Sequence, residues 1–329
     1  SIKDIFKMRS DIIRVIRGFL DDRKFLEVDT PILQPLYGGA NARPFTTHHN
    51  TLEQKLYLRI ASELYLKRLI VGGLDKVYEI GKNFRNEGMD RNHNPEFTML
   101  ELYQAYTDLD GMITLTEDLF KKVASSIGVK KVIFNGHEVD LSKKFDMISM
   151  SDLFVKHLGV NIIELELAEI CKISKEYDVE KKILKNKGKV IEKIFSQAIE
   201  PKLISPTFVT DYPVEISPLA RFKRGDSKKK YVERFELFIS GVEIANAFSE
   251  LNDPYEQRSR LINQQKLSKE GDREAQVLDE DFIEVLEVGM PPTGGVGIGI
   301  DRLVMLFLEQ KSIKDVILFP SMRPIRKVD

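Results

Sequence analysis

The stretch NFRNEGMDRNHNPEFTMLELY, from Asn83 to Tyr103, crowds arginines, carboxylates, a histidine, a proline and aromatics into one short segment. Side chains alternate along a strand, so Phe97, Met99, Glu101 and Tyr103 would share one face, with Leu100 and Leu102 on the other. Further on, ANAFSE puts Asn246, Phe248 and Glu250 on one face of a second strand. Two acids on walls that also bear Phe97, Tyr103 and Phe248 would form a pocket for a cation in partly dry surroundings, where charge-assisted hydrogen bonds count for more. Two unrelated solvated acids would give the same pattern, and the residues alone leave both readings open.

A second chemistry sits beside the first. Glu236 and Glu243 lie on consecutive strand-like segments split by Ser240-Gly241, and paired carboxylates without a nearby His or Cys suit Mg²⁺ bridging phosphate oxygens. Strand phase does not by itself make them converge. Glu243 is also out of phase with Asn246, Phe248 and Glu250, so a bulge or turn has to intervene. Arg85 and Arg302 each fall where a strand gives way, and two fork-shaped guanidiniums with carboxylate-held Mg²⁺ would clamp a triphosphate. Gly297 and Gly299 have no side chain to block a nucleotide, and His93 could donate to a phosphate or be structural. The chain contains no G-x-x-x-x-G-K-[ST], H-E-x-x-H or G-x-S-x-G, and GGVGIGID lacks the spacing and βαβ setting of a dinucleotide fingerprint.

The elements that must position these groups can be read from periodicity. Ile5, Met8, Ile12, Ile16 and Phe19 mark an amphipathic helix. FLEVDTPIL is a short apolar run closed by Pro31, suited to a sheet edge or an interface. After the Gly-rich PLYGGANARPF, KLYLRI reads as a half-buried strand and Ser62 as the N-cap of a helix ELYLKRLIV stopped by Gly72 and Gly73. KVYEIGKNF and FTMLELYQAY form a hairpin. A helix near Met112 to Ile127 precedes a small hairpin turning at Asn135-Gly136. Residues 151–203, rich in Lys, Glu and Ile, read as a small helical insertion whose charge runs are solvated faces. Strands then return in TFVTDYPVEISPLA, in KKKYVERFELFISGVEIANAFSELND and in VGIGI, with Asp301 expected to cap a helix RLVMLFLE and Arg302 in its first turn. Strands before and after, with helices between, indicate a mostly antiparallel sheet with flanking helices, of the α+β class.

Composition bounds the rest. The 329 residues are 42% hydrophobic and 31% charged, enough for a full core. Lys and Arg number 50 against 51 Asp and Glu, so no global field draws in a polyanion and any nucleic acid would meet a local patch. No apolar run is long enough for a membrane span and no signal peptide opens the chain, so it reads as cytoplasmic and without a membrane partner. Cys171 is the one cysteine, a structural thiol by expectation.

FRNEGMDRNHNPEFTMLELY resembles motif 2 of the class II aminoacyl-tRNA synthetases, GIGIDRLVMLF motif 3, and FLEVDTPIL motif 1. With ARPFTTHHN, LRIASELYLKRL and EIANAFSELNDP, the chain is similar over almost its whole length to the bacterial-type lysyl-tRNA synthetases. The resemblance implies a class II synthetase catalytic domain over 1–329, a six- or seven-stranded antiparallel sheet flanked by helices, and a homodimer built through motif 1. It implies activation of L-lysine with ATP to lysyl-adenylate and pyrophosphate, with Mg²⁺, then transfer to the acceptor end of tRNA(Lys). Arg85 would hold the α-phosphate, Glu87 the adenine amino group, and His93 and Arg302 the outer phosphates. Asn94 and Gly299 would lie at the nucleotide, Phe97 would stack on adenine, and Glu236 and Glu243 would hold Mg²⁺. Gly39 and Glu63 would meet the lysine α-ammonium, and Glu101, Tyr103 and Glu250 the ε-ammonium, with Asn246 and Phe248 lining the site.

Nothing here precedes the catalytic core where such synthetases carry an OB-fold anticodon-binding domain. The resemblance therefore implies either a trimmed core or a stand-alone paralogue such as the ligase that lysylates elongation factor P. GVGIGIDR and ARPFTTHHN favour the synthetase core. A non-catalytic amino-acid-sensing paralogue tends to lose the motif arginines or metal acids, and Arg85, Arg302, Glu236 and Glu243 are all present.

Overall fold

The structure is a computed structural model that describes residues 1–322; residues 323–329, the end of the expected domain, lie outside the described residues. Its centre is an eight-stranded sheet built from β1 (Leu26–Glu27), β2 (Lys76–Phe84), β3 (Glu96–Ala105), β4 (Asp146–Ser149), β5 (Thr207–Pro213), β6 (Tyr231–Ile239), β7 (Val242–Ser249) and β8 (Thr293–Gly299), in the order β1-β2-β3-β8-β7-β6-β5-β4. The six inner strands are antiparallel to their neighbours, as expected. The sheet is nevertheless larger than six or seven strands and is mixed, because β1 and β4 add in parallel at the two edges. These edge strands are short, which is why their pairing left little trace in the periodicity.

Helices cover both faces unevenly. They are α1 (Ile2–Asp22), α2 (Glu63–Val71), α3 (Leu109–Ser126), α4 (Met150–Leu158), α5 (Leu167–Ile173), α6 (Lys187–Ala198), α7 (Pro254–Lys269), α8 (Glu280–Gly289) and α9 (Ile300–Phe307). On one face α1, α3 and α9 bury Ile12, Ile16, Phe120, Leu303 and Leu306 against Leu100, Leu102, Leu237 and Ile298. Among the described residues the opposite face is covered only at its flanks. Helices α2, α7 and α8 pack Leu66, Leu261 and Phe282 on Val77 and Tyr103. Helices α4 to α6 pack Phe154, Ile191 and Phe195 on Val209, Tyr212 and Phe238. Between the flanks the sheet face stays open.

Local chemistry explains the joints. Asn135 and Gly136 have φ of 49° and 82°, the left-handed pair that a two-residue hairpin turn requires between Lys131–Phe134 and His137–Asp140. In the β6–β7 pair Leu237 faces Ala245 while Phe238 faces Glu243, so Ile244 is an extra residue. This bulge is the device the sequence demanded, and it returns Glu243 to the open face. Asp301 is not the cap of α9. Gly299 holds that position, and Asp301, 1% exposed inside the first turn, accepts the Thr98 N–H at 2.7 Å and pairs with Arg9 at 2.7 Å. Cys171 is half-buried, its thiol donating to the Leu184 carbonyl at 3.5 Å.

Candidate active site

The open stretch of the sheet floors a cavity of about 290 Å³. Its wall brings together Gly39, Glu63, Arg85, Glu87, His93, Asn94, Phe97, Glu101, Tyr103, Glu236, Glu243, Asn246, Phe248, Gly299 and Arg302, nearly every residue singled out from the sequence. Glu250 is the exception. It lies just behind the wall, 1% exposed, where a side chain at Gly295 would collide with its Oε1.

One end of the cavity is dry and acidic. Glu101 on β3 is 8% exposed and accepts from the Tyr103 hydroxyl at 3.2 Å. Burial, with Glu63 adding its charge, pushes the Glu101 carboxyl up to about 7. Burial pushes Glu250 up to about 8, opposed by Lys67 and reinforced by Glu63 and Glu101. The Lys67 ammonium pairs with Glu63 at 2.5 Å and with Glu250. Gly39, at φ 84°, turns its N–H to Gln276 Oε1 at 3.2 Å, and a side chain there would press on Glu63.

The other end is open and basic. Arg85 leaves β2 at the edge of the cavity with its guanidinium 5.1 Å from the Phe97 ring centroid. Burial pulls its pKa down, and Glu87 and Glu243 oppose that. Arg302, in the first turn of α9, donates to the Glu243 carbonyl at 2.7 Å and to its carboxylate at 3.1 Å. Its other arm meets His93 Nε2 at 2.9 Å, while Asp90 takes His93 Nδ1 at 2.8 Å. Glu87 accepts from the Arg43 backbone N–H at 3.2 Å at the rim. Asn94 donates to the Glu96 carbonyl at 2.6 Å and leaves its own carbonyl oxygen unpaired although 6% exposed.

Glu236 and Glu243 do converge on this cavity. Burial, opposed by Arg234 and aided by Glu243, pushes the Glu236 carboxyl up to about 7. Among the described residues no three metal-binding side chains form a complete cage. Two carboxylates facing a cavity fit Mg²⁺ all the same, because that ion usually takes one or two carboxylates and completes its shell with water and phosphate oxygens.

Lys67, Arg234, Gln276 and Glu192 are among the wall or near-wall residues not found from the sequence. Lys67 had a signal, since it stands four positions after Glu63 on a helix. Arg234 shares a strand face with Glu236, donating to Glu236 at 2.5 Å and to Asn246 at 3.0 Å. Gln276 comes from a segment with no periodicity. Glu192 belongs to a charge run read as solvent-facing, yet it projects from α6 into the cavity.

This fold belongs to one family. The chain is a member of the class II tRNA synthetases (D, K and N), whose family model matches residues 1–323. Curated relatives narrow the likeness. The chain is 56% identical over 325 residues to the lysine-tRNA ligase of Thermoanaerobacter sp. (strain X514), covering 98% of this chain and 65% of that protein. It is 54% identical over 327 residues to that of Pelotomaculum thermopropionicum and 52% over 331 residues to that of Clostridium novyi, each covered over 64% of its length. The chain thus spans less than two thirds of the relatives it matches.

Proposed function

We propose that this chain carries the amino-acid activation chemistry of a lysine-tRNA ligase. The observation that carries the reading is a dry acid pocket, Glu101 with Tyr103 and Glu250 behind, opening onto a wall that bears Arg85, Phe97 and Arg302. A buried carboxylate without a partner costs several kcal/mol, so a side-chain ammonium is favoured and an aspartate, asparagine or leucine side chain is rejected. Relatives that share the name lysine-tRNA ligase support the same substrate.

ATP would lie with its adenine on Phe97, its amino group near Glu87, and its phosphates between Arg85, His93 and Arg302. The lysine carboxylate would attack the α-phosphorus, forming one P–O bond while the bond to the β-phosphate oxygen breaks and pyrophosphate leaves. A tRNA ribose hydroxyl would then displace AMP from the adenylate. No protein nucleophile is required: catalysis would come from in-line positioning and from arginine charge placed where negative charge builds. Mg²⁺ held by Glu236 and Glu243 would supply further neutralisation of the phosphates when bound. Transfer to tRNA(Lys), a homodimer and work in the cytoplasm complete the proposal.

Amino-acid-dependent ATP–pyrophosphate exchange tests it, with L-lysine, β-lysine, aspartate and asparagine compared side by side. Exchange led by L-lysine is expected. A lead for β-lysine would point to the elongation factor P ligase, and no exchange with any of them would sink activation altogether.

A further inference from the structure

Lys67 is 0% exposed, and an isolated ammonium in so dry a place would give up its proton. It keeps it through two carboxylates, Glu63 one turn earlier on α2 and Glu250 just past the end of β7. Burial works against the Lys67 charge, but Glu250 and Glu63 outweigh it and raise its pKa. Neither partner is an incidental neighbour. Glu63 is on the cavity wall, and Glu250 presses against the gap left by Gly295 with its Oε1 unpaired.

The charges around this point do not balance. Glu63, Glu101 and Glu250 share the dry end, and Lys67 is the cation paired with Glu63 and Glu250. Arg234 is engaged by Glu236, Asn246 and the Ile216 carbonyl, Arg85 lies over Phe97 toward the open end, and Tyr103 donates to Glu101. When all three acids are ionised, two negative charges remain uncompensated.

We propose that Lys67 is the fixed counter-ion and positioning residue of the amino-acid pocket, aiming Glu63 and Glu250 and favouring their ionised forms, so that the two charges left over when all three acids ionise match the two ammonium groups of a diamino acid. The proposal rests on the lysine reading above. Without Lys67, Glu63 and Glu250 would be like charges in one dry volume, and a carboxyl there would keep its proton to still higher pH. The pocket would then fit a diamino acid poorly while the nucleotide wall stayed intact.

The test is exchange kinetics on the intact chain and on K67M, which keeps an unbranched side chain of similar length and loses the charge. K67M is expected to raise the KM for lysine at pH 7 by about tenfold or more, as breaking a buried ion pair does, and to leave the KM for ATP within about twofold, because no nucleotide contact changes. The lysine defect should shrink toward pH 9, as the carboxyl left without a cation ionises at higher pH. An unchanged lysine KM, or lysine and ATP constants that rise together with no pH dependence, overturns the proposal. If K67M does not fold, K67R decides: a wild-type pH profile for lysine supports the role of charge, and a pH-independent loss of lysine overturns it. Absence of lysine-dependent exchange in the unaltered chain would remove the lysine reading and this inference together. Exchange in that chain with an unaffected K67M removes this inference alone.

Discussion

The two ends of the cavity handle charge in opposite ways. At the dry end Lys67, Glu63 and Glu250 are sealed, with side chains 0%, 5% and 0% exposed, and they answer one another inside the protein. At the open end His93 and Arg302 are 53% and 19% exposed and lean on backbone carbonyls, on each other and on the part-exposed carboxylates of Asp90 and Glu243. Discrimination between amino acids needs the first arrangement, because only a desolvated acid is costly to leave without its cation. Phosphates bring their own charge and need donors that can move onto them, which a half-open site supplies.

The largest effect should come from the open end, where a change ought to strike rate and spare selection. Arg85→Ala is expected to lower adenylate formation by about 10²- to 10³-fold, the scale of losing a preorganised charge at a transition state; near-normal turnover in exchange would break the contrast. At the sealed end Glu101→Gln is expected to raise the lysine KM about a hundredfold and leave the ATP KM nearly unchanged, as loss of a buried charge pair does. Equal shifts in both constants would show that the two ends are not separate.

A smaller effect follows from pH. The Glu101 and Glu250 carboxyls stand near 7 and 8, above their ordinary value of 4.5. The folded chain therefore holds protons there that the unfolded chain has released, so this contribution to stability is full below about 4.5 and is lost as pH rises toward 8. Lysine needs the ionised acids, so its binding should strengthen over the same range. Thermal-shift titrations should show stabilisation by lysine growing from pH 5.5 to 8, while that by ATP changes less. The smallest effect lies away from both ends. Gly136→Ala, at φ 82° in the hairpin turn, should cost about 1 kcal/mol in denaturant melts and leave exchange kinetics untouched.

Much of this site was visible in the chain because its parts obey short-range rules. Alternation put Phe97, Glu101 and Tyr103 on one face of β3, and the conflict of phase between Glu243 and Asn246 announced the bulge at Ile244. The Asp301 cap failed because the helix begins two residues earlier than the apolar pattern suggests, which freed that carboxylate for Thr98 and Arg9. FLEVDTPIL pointed to a sheet edge, where β1 lies, whereas edge strand β4 was too brief for a period to register. Glu192 is exposed, as a charge run suggests, and what the run could not tell is that its exposed face borders the cavity.

By itself the sequence determined the antiparallel core, the hairpins, the motif residues and the acid and arginine faces, since strand and helix periods and turn chemistry are local properties. Only the tertiary structure decided that Glu250 stands behind the wall, that Lys67 answers it, and that Arg234 and Gln276 brace the pocket from other segments. Those facts depend on how much water is left between distant parts of the chain, and the energy of a buried charge is set by that distance and dryness, which no local pattern records.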